Sequence, residues 1–390
     1  MTKLLSRAAP VAPVAQRADR ALRPIGFYDC RSAAGAPGHD RQTKVGMARL
    51  LAELLGVDYA GEIDAARLPR TPLLLVPSET LESVEQARQL GIVRPDHLFG
   101  GVVPHRFVAT KVITHPLVRA GATAPAGWSA SFGDAVRDVV LPGYSSFTPA
   151  DAIDAGERLL HDGAVRLKRA DGVGGSGQCV VESGAGLRAR VAAIDPELLR
   201  RDGVVLERNL GAGLTTRSVG QVCVGPWLAS YCGTQQLVRN HRGNEVYGGS
   251  RLMLVRGGYD ALLGLALDPA ERLAVDQART YDRRAKACFV GLMASRSNYD
   301  IAQGLDTAGR LCSGVLEQSW RIGGASGAEI LALHAFREDP GRRLVRASTH
   351  EVYADEAAIP DGARVYFDGR DDAGLGRLTK YALVERDGDA

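Results

Sequence analysis

Lysine is nearly absent from this 390-residue chain: of 48 basic residues only Lys3, Lys44, Lys111, Lys168, Lys286 and Lys380 are lysine, and the rest are arginine. Each lysine is therefore informative by its position. No Cys-x-x-Cys pair or neighbouring histidine cluster occurs, and Cys30, Cys179, Cys223, Cys232, Cys288 and Cys312 lie far apart. That spacing excludes a zinc module and predicts reduced core thiols. No apolar run approaches the roughly 18 to 20 residues of a membrane span, and the N-terminus lacks the apolar core of a secretory signal. The expectation is a cytoplasmic protein without a membrane partner. A net charge of only +3 gives no reason to expect nucleic acid. With 45% apolar and 24% charged residues, the composition is that of a globular chain.

The length predicts two or three domains with room for a cleft. Residues 1–23 alternate Ala, Pro, Arg and Val without a period and read as a flexible leader. Residues 24–106 alternate strand 25–29, helix 43–55, strand 72–76 and helix 79–90, an N-terminal α/β domain with parallel strands. A helix with a break at Pro116 is predicted over 110–121, and prolines at 125 and 142 mark a linker, with a boundary near 140–150. After a helix at 151–161 the chain becomes strand-rich at 165–168, 178–182 and 204–208, with a short helix at 187–194. A long helix at 269–293 presents a stripe of Leu273, Gln277, Tyr281, Ala285, Cys288 and Leu292. Strands 298–304 and 312–318, helix 326–336 and strands 342–353 and 364–367 follow, before an acidic end read as frayed.

In VRLKRADGVGGSGQCVVES a strand ends in Lys168 and opens into a loop with Gly172, Gly174, Gly175, Ser176 and Gly177. Glycines let backbone amides approach phosphate oxygens unobstructed. A dinucleotide fingerprint would have to open a helix, but a second strand follows; a Walker loop would place its lysine after the glycines, but here it precedes them. What remains is a strand–loop–strand flap able to cover a nucleotide, or an ordinary hairpin with a flexible glycine tip. A second constellation is NYDIAQGLDTAGRLCSGVLEQSWRIGGAS, two strands around a turn at 306–309. Antiparallel pairing brings Asp300 and Glu317 together, and two adjacent carboxylates repel unless a cation sits between them. Such hard oxygen ligands suit magnesium with phosphate, the alternative being a pair of solvated strand-end residues.

In this order the segments resemble the ATP-grasp superfamily, over roughly residues 105–332. The resemblance implies a small N-terminal α/β domain followed by an ATP-grasp fold of two α+β subdomains, 107–203 with the flap and 204–340 with the metal site, then C-terminal strands and tail at 341–390. It implies ATP and Mg2+ as cofactors. Lys111, in FVATKVITHPLVRAGATAPAGW, would contact the phosphates, as would Lys168 and the loop from Gly172 to Gly177. Glu207, Arg208, Asn209 and Leu210, in VVLERNLGAG, would meet the adenine edge. In LEQSWRIGGAS, Glu317 matches a metal ligand beside Asp300, and Ser319 and Trp320 stand where the family has asparagine and proline. Arg321 matches a phosphate or substrate arginine, and with Lys168 forms the catalytic pair. Gly213 to Arg217 holds no acidic residue for the ribose, and Arg251 is a loose candidate for a further cation.

The activity implied is an ATP-dependent ligase that activates a carboxylate as an acyl phosphate and joins it to an amine or other nucleophile. The alternatives are a non-catalytic nucleotide- or metabolite-binding protein and a biosynthetic kinase. The expected partner is a small-molecule substrate, with a homo-oligomer possible. Acceptor candidates are Arg217, Tyr231, Tyr247 and Arg251, with the basic cluster Arg239, His241 and Arg242 compatible with an anion.

Overall fold

The computed structural model describes residues 22–30, 38–68, 70–170, 172, 177–211, 213–371 and 374–385. The leader, apart from its last two residues, and Gly174, Gly175 and Ser176 of the glycine loop lie outside them. The N-terminal part contains β1 (Ile25–Tyr28), α1 (His39–Leu55), β2 (Tyr59–Glu62), β3 (Leu74–Pro77), α2 (Val84–Gln89) and β4 (Gly101–Val102). Its three longer strands form a parallel sheet in the order β2-β1-β3. Helix α1 buries Met47, Leu50, Leu51 and Leu54, then stops at Gly56, whose φ of 66° is the left-handed C-cap conformation that glycine adopts freely.

Next come α3 (Ala130–Val136), β5 (Gly143–Ser146), α4 (Pro149–Leu160), β6 (Val165–Arg169), β7 (Gln178–Val181), α5 (Gly184–Ala192), α6 (Pro196–Asp202) and β8 (Val204–Arg208). They build an antiparallel sheet, β5-β8-β6-β7, with α4 and α5 packed over Val165, Leu167, Val181 and Leu206. The remainder is β9 (Thr215–Val224), β10 (Trp227–Arg239), β11 (Glu245–Arg256), α7 (Tyr259–Leu263), α8 (Pro269–Cys288), β12 (Met293–Ala294), β13 (Arg296–Leu305), β14 (Leu311–Ser319), α9 (Ser326–Glu338), β15 (Leu344–Tyr353), β16 (Arg364–Arg370) and β17 (Arg377–Val384). Eight of these strands form one sheet, β14-β13-β9-β10-β11-β15-β17-β16, so the sheet runs across the boundary drawn at 340/341. The short pair β4–β12 ties the N-terminal part to it. One core unites α1, β1 and α9 with β9 to β11, and another packs α3 and α8 against β13 and β14.

Several elements differ from the sequence reading, each for a local reason. The helix expected at 110–121 is a single 3-10 turn, Lys111–Thr114, capped by the Thr110 hydroxyl. His115 precedes Pro116 and is extended, with φ −124° and ψ 156°, the conformation proline imposes on its predecessor. The helix expected at 79–90 is shortened because Leu81 forms a bridge with Val102 and Ser83 caps α2. Helix α8, opened by the Asp268–Glu271 capping box, buries Gln277, Tyr281 and Ala285 of the expected stripe together with Ala274, Val275 and Ala278, ends at Cys288, and leaves Leu273 exposed. Residues 377–384, given no strand in the sequence reading, form β17, which pairs on both sides with β15 and β16, while the acidic end beyond residue 385 lies outside the described residues. All six cysteines are free thiols, but only Cys232 is fully buried.

Candidate active site

The β13–β14 hairpin sets the first two groups. Asp300 and Glu317 are direct register partners, and a bulge follows between Asp300 and Ile301. The turn is fixed by Asp306, whose Oδ1 accepts from the backbone N–H groups of Ala308 (2.9 Å) and Arg310 (3.0 Å). Asp300 Oδ1 accepts from Gln235 Nε2 (2.8 Å), Asn298 Nδ2 (2.9 Å) and Ser218 Oγ (3.3 Å). Burial and then the neighbouring Glu317 carboxylate push Asp300 up to about 6, against those three donors.

Lys111 reaches across from the 3-10 turn. Its Nζ lies 2.7 Å from Glu317 Oε2 and donates to the Gly172 carbonyl at 2.6 Å, linking the start of the glycine loop to β14. On the four-stranded sheet, Lys168 Nζ stands 2.5 Å from Glu207 Oε1, while Glu207 Oε2 lies 3.2 Å from His115 Nε2. Glu207 is fully buried; burial alone would raise its pKa, but Lys168 and His115 outweigh it and hold the carboxyl down at about 2. Strands β6 and β8 are neighbours, and the Lys168–Glu207 contact is the diagonal pair that their register allows.

The third group surrounds Arg321. Its Nε lies 3.0 Å from Glu79 Oε2, and Glu79 Oε1 is 3.1 Å from Lys44 Nζ, which also meets Asp40 Oδ2 at 2.9 Å. Residues of the N-terminal part thereby hold the arginine. Behind the site, Arg296 is buried against Glu329 (Nη2 to Oε1, 2.7 Å) and donates to the Arg321 carbonyl at 2.6 Å. The Tyr231 hydroxyl lies 2.6 Å from Glu329 Oε1 and 2.9 Å from Asn298 Oδ1, its one proton shared between the two acceptors, so this buried network ends on the residue that donates to Asp300. Trp320 fills the core, donating from Nε1 to Tyr299 (3.2 Å), and its Cβ stands 2.6 Å from where a side chain on Gly101 would begin.

Lys111, Lys168, Asp300, Glu317, Ser319 and Arg321 all line one cavity of about 850 Å³ between the four-stranded and eight-stranded sheets. Ser319 Oγ, at the cavity wall, accepts from Arg296 Nη1 at 3.4 Å. Other candidates stand elsewhere. Arg208 pairs with Asp162 (3.1 Å), Asn209 accepts from Arg166 (2.8 Å), and Leu210 is buried with Leu141 and Ala302. The backbone N–H groups of Arg208 and Asn209 are bonded to Pro142 and Ala164. Gly172 and Gly177 flank the loop, Gly177 with φ 68°.

Among the acceptor candidates, Tyr247 lines the cavity. Arg217 bonds to Gln303, Tyr231 is buried on Glu329, His241 meets the Arg377 carbonyl and Arg251 pairs with Glu385. Two residues unassigned from sequence, Lys44 and Lys380, also line the cavity, and Lys380 Nζ donates to Glu351 at 2.8 Å. Their rarity was the available signal: four of the five described lysines face this one space. Among the described residues no group of three or more His, Cys, Asp or Glu is placed to hold a metal, and no helix is long and apolar enough to cross a membrane.

The fold is that of ATP-grasp enzymes. N5-carboxyaminoimidazole synthetase from Staphylococcus aureus, solved with ADP, superposes with a TM-score of 0.55 at 11% identity, over 93% of this chain and 93% of that one. Biotin carboxylase from Campylobacter jejuni, solved as a β,γ-ATP complex, gives 0.52 at 10% identity, over 92% and 87%. No curated protein sequence matches the chain. A family model described as "Protein of unknown function (DUF3182)" matches residues 27–382, and the chain belongs to that family, built on the ATP-grasp fold.

Proposed function

We propose that the protein is an ATP-dependent ligase that joins a carboxylate to an amine or other nucleophile. The observation that carries this reading is the convergence, in one cavity between two sheets, of Lys111 and Lys168 with the register-paired Asp300 and Glu317. Lys111 and Lys168 supply positive charge for the phosphates, moving off Glu317 and Glu207 as they do so. Leu316 gives the cavity wall an apolar side for the base.

The donor chemistry fits magnesium: two hard carboxylates face each other, and the Lys111 ammonium already rests on one of them. Asp300 and Glu317 would hold the ion, which would offset phosphate charge. The acceptor carboxylate oxygen takes the γ-phosphoryl group as ADP leaves, and the nucleophile then displaces phosphate from the acyl group. Arg321, fixed by Glu79, steadies the acceptor or the transferred group.

The test is calorimetric titration of MgATP, followed by ADP release with panels of carboxylates and amines. Wild type should bind in the micromolar to millimolar range, and Lys168→Ala should lose binding. Lys168→Ala and Glu317→Ala should each abolish turnover; unchanged turnover in both removes the proposal. A second reading, nucleotide binding without catalysis, is favoured by the Arg296 guanidinium beside Ser319. Binding without ADP formation under every substrate pair would select it.

A further inference from the structure

Past the carboxylate pair, the cavity ends against α1, the start of α9 and the last strands of the large sheet. Asp40, Lys44, Arg321, Glu351 and Lys380 line that end, and Glu79 bridges Lys44 to Arg321. The charges balance in sign and lie close. Lys44 is 2.9 Å from Asp40 and 3.1 Å from Glu79, Arg321 is 3.0 Å from Glu79, and Lys380 is 2.8 Å from Glu351. Lys44 and Lys380 are only 2% and 5% exposed, so these pairs are built into the wall.

A wall of this kind selects against a ligand of one charge. An acceptor carrying only negative charge would face the carboxylates of Asp40, Glu79 and Glu351 as well as the cations, and one carrying only positive charge would face the reverse. A buried charge left unpaired is strongly unfavourable. A zwitterion can replace internal ion pairs by external ones with no change in net charge, and like-charge repulsion excludes the alternatives. The first turn of α9, reached through Gly323 and Gly324 at the cavity surface, adds a partial positive charge on the same side as Arg321.

We propose that the acceptor is a zwitterion of the amino-acid class, its carboxylate beside Arg321 and Lys44 and its ammonium beside Asp40 and Glu79. The Lys380–Glu351 pair meets the remainder of the molecule. For turnover this rests on the ligase reading; binding of the zwitterion can be measured without it. The experiment is calorimetric titration of free amino acids into the full chain, with and without MgADP. For each binder, the matching deaminated acid and decarboxylated amine are titrated as well. Both half-analogues should bind at least tenfold more weakly than the zwitterion. Asp40→Asn, and separately Lys44→Met, should weaken it at least tenfold, with circular dichroism confirming that each variant is folded. Failure of every amino acid to bind, or equal or tighter binding of a polycarboxylate or a phosphorylated sugar, overturns the proposal. A parallel MgATP titration of the wild type separates this outcome from failure of the ligase reading.

Discussion

At the scale of single residues, Glu207 carries the clearest energetic signature. Its folded carboxyl is held at about 2, below the ordinary 4.5, by Lys168 and His115 despite full burial. A carboxyl lowered on folding stabilises the protein above its unfolded pKa and loses that contribution as pH falls through the folded value. The contribution is therefore complete above about pH 4.5 and fades toward pH 2, with a size of roughly 3 kcal/mol at neutral pH. Glu207→Gln should lower urea-unfolding stability by about that amount at pH 7. The gap between variant and wild type should narrow as the titration is repeated toward pH 2.5, and a constant gap would contradict the ion-pair origin. Lys111, Lys168, Asp300, Glu317 and Arg321 were legible as candidates because they stand in short local patterns. Lys44 and Lys380 were not, because they reach the cavity from opposite ends of the chain and neither lies in a motif. The side chain of Glu207 was read as part of the nucleotide's edge, whereas it is occupied by Lys168 and His115, a contact set by the pairing of β6 with β8.

At the scale of elements, β9 shows how one backbone position supports the site. Gly220 faces Tyr231 and Asn298 across its two neighbouring strands, and a methyl there would come within 2.3 Å of both the Tyr231 hydroxyl and the Ser297 carbonyl. Gly220→Ala should destabilise the fold by about 2 kcal/mol through overpacking, seen as a lower melting temperature. Because Tyr231 leads through Asn298 to Asp300, any folded fraction should also bind MgATP more weakly. Loss of the α8 cap in Asp268→Ala should cost about 1 kcal/mol, and it should leave the cavity wall formed by β13 and β14 in place. The strands at 204–208 and around Asp300 and Glu317 were legible because their apolar runs and turns are strong. The helix expected at 110–121 failed because Pro116 overrides the helical spacing before it, and the burial of Ala274, Val275 and Ala278 beside the expected stripe of α8 is fixed only by what packs on it.

At the scale of the whole molecule, the large sheet joins segments from residue 215 to residue 384. Strand β17 lies inside that sheet rather than at its rim, so a chain ending before Arg377 strips β15 and β16 of a partner and removes Lys380 from the cavity. Such a truncation should fail to fold cooperatively by thermal denaturation; a folded product with an unchanged melting temperature would show that the last strands are dispensable. The layered α/β and α+β character was visible in the order of periodic segments. The eight-strand order was not, since it depends on long-range pairings such as β11 with β15.

The clustering of lysines turns a chemical rarity into a readout. Lys44, Lys111, Lys168 and Lys380 have side chains no more than 12% exposed, whereas Lys286, paired with Asp282 on α8, is 38% exposed. An amine-acylating reagent followed by peptide mass spectrometry should therefore mark Lys286 first among the described lysines, and mark the other four only as the space between the sheets opens. Ligand occupancy should then be recorded one amine at a time, with a nucleotide shielding Lys111 and Lys168 and an acceptor shielding Lys44 and Lys380.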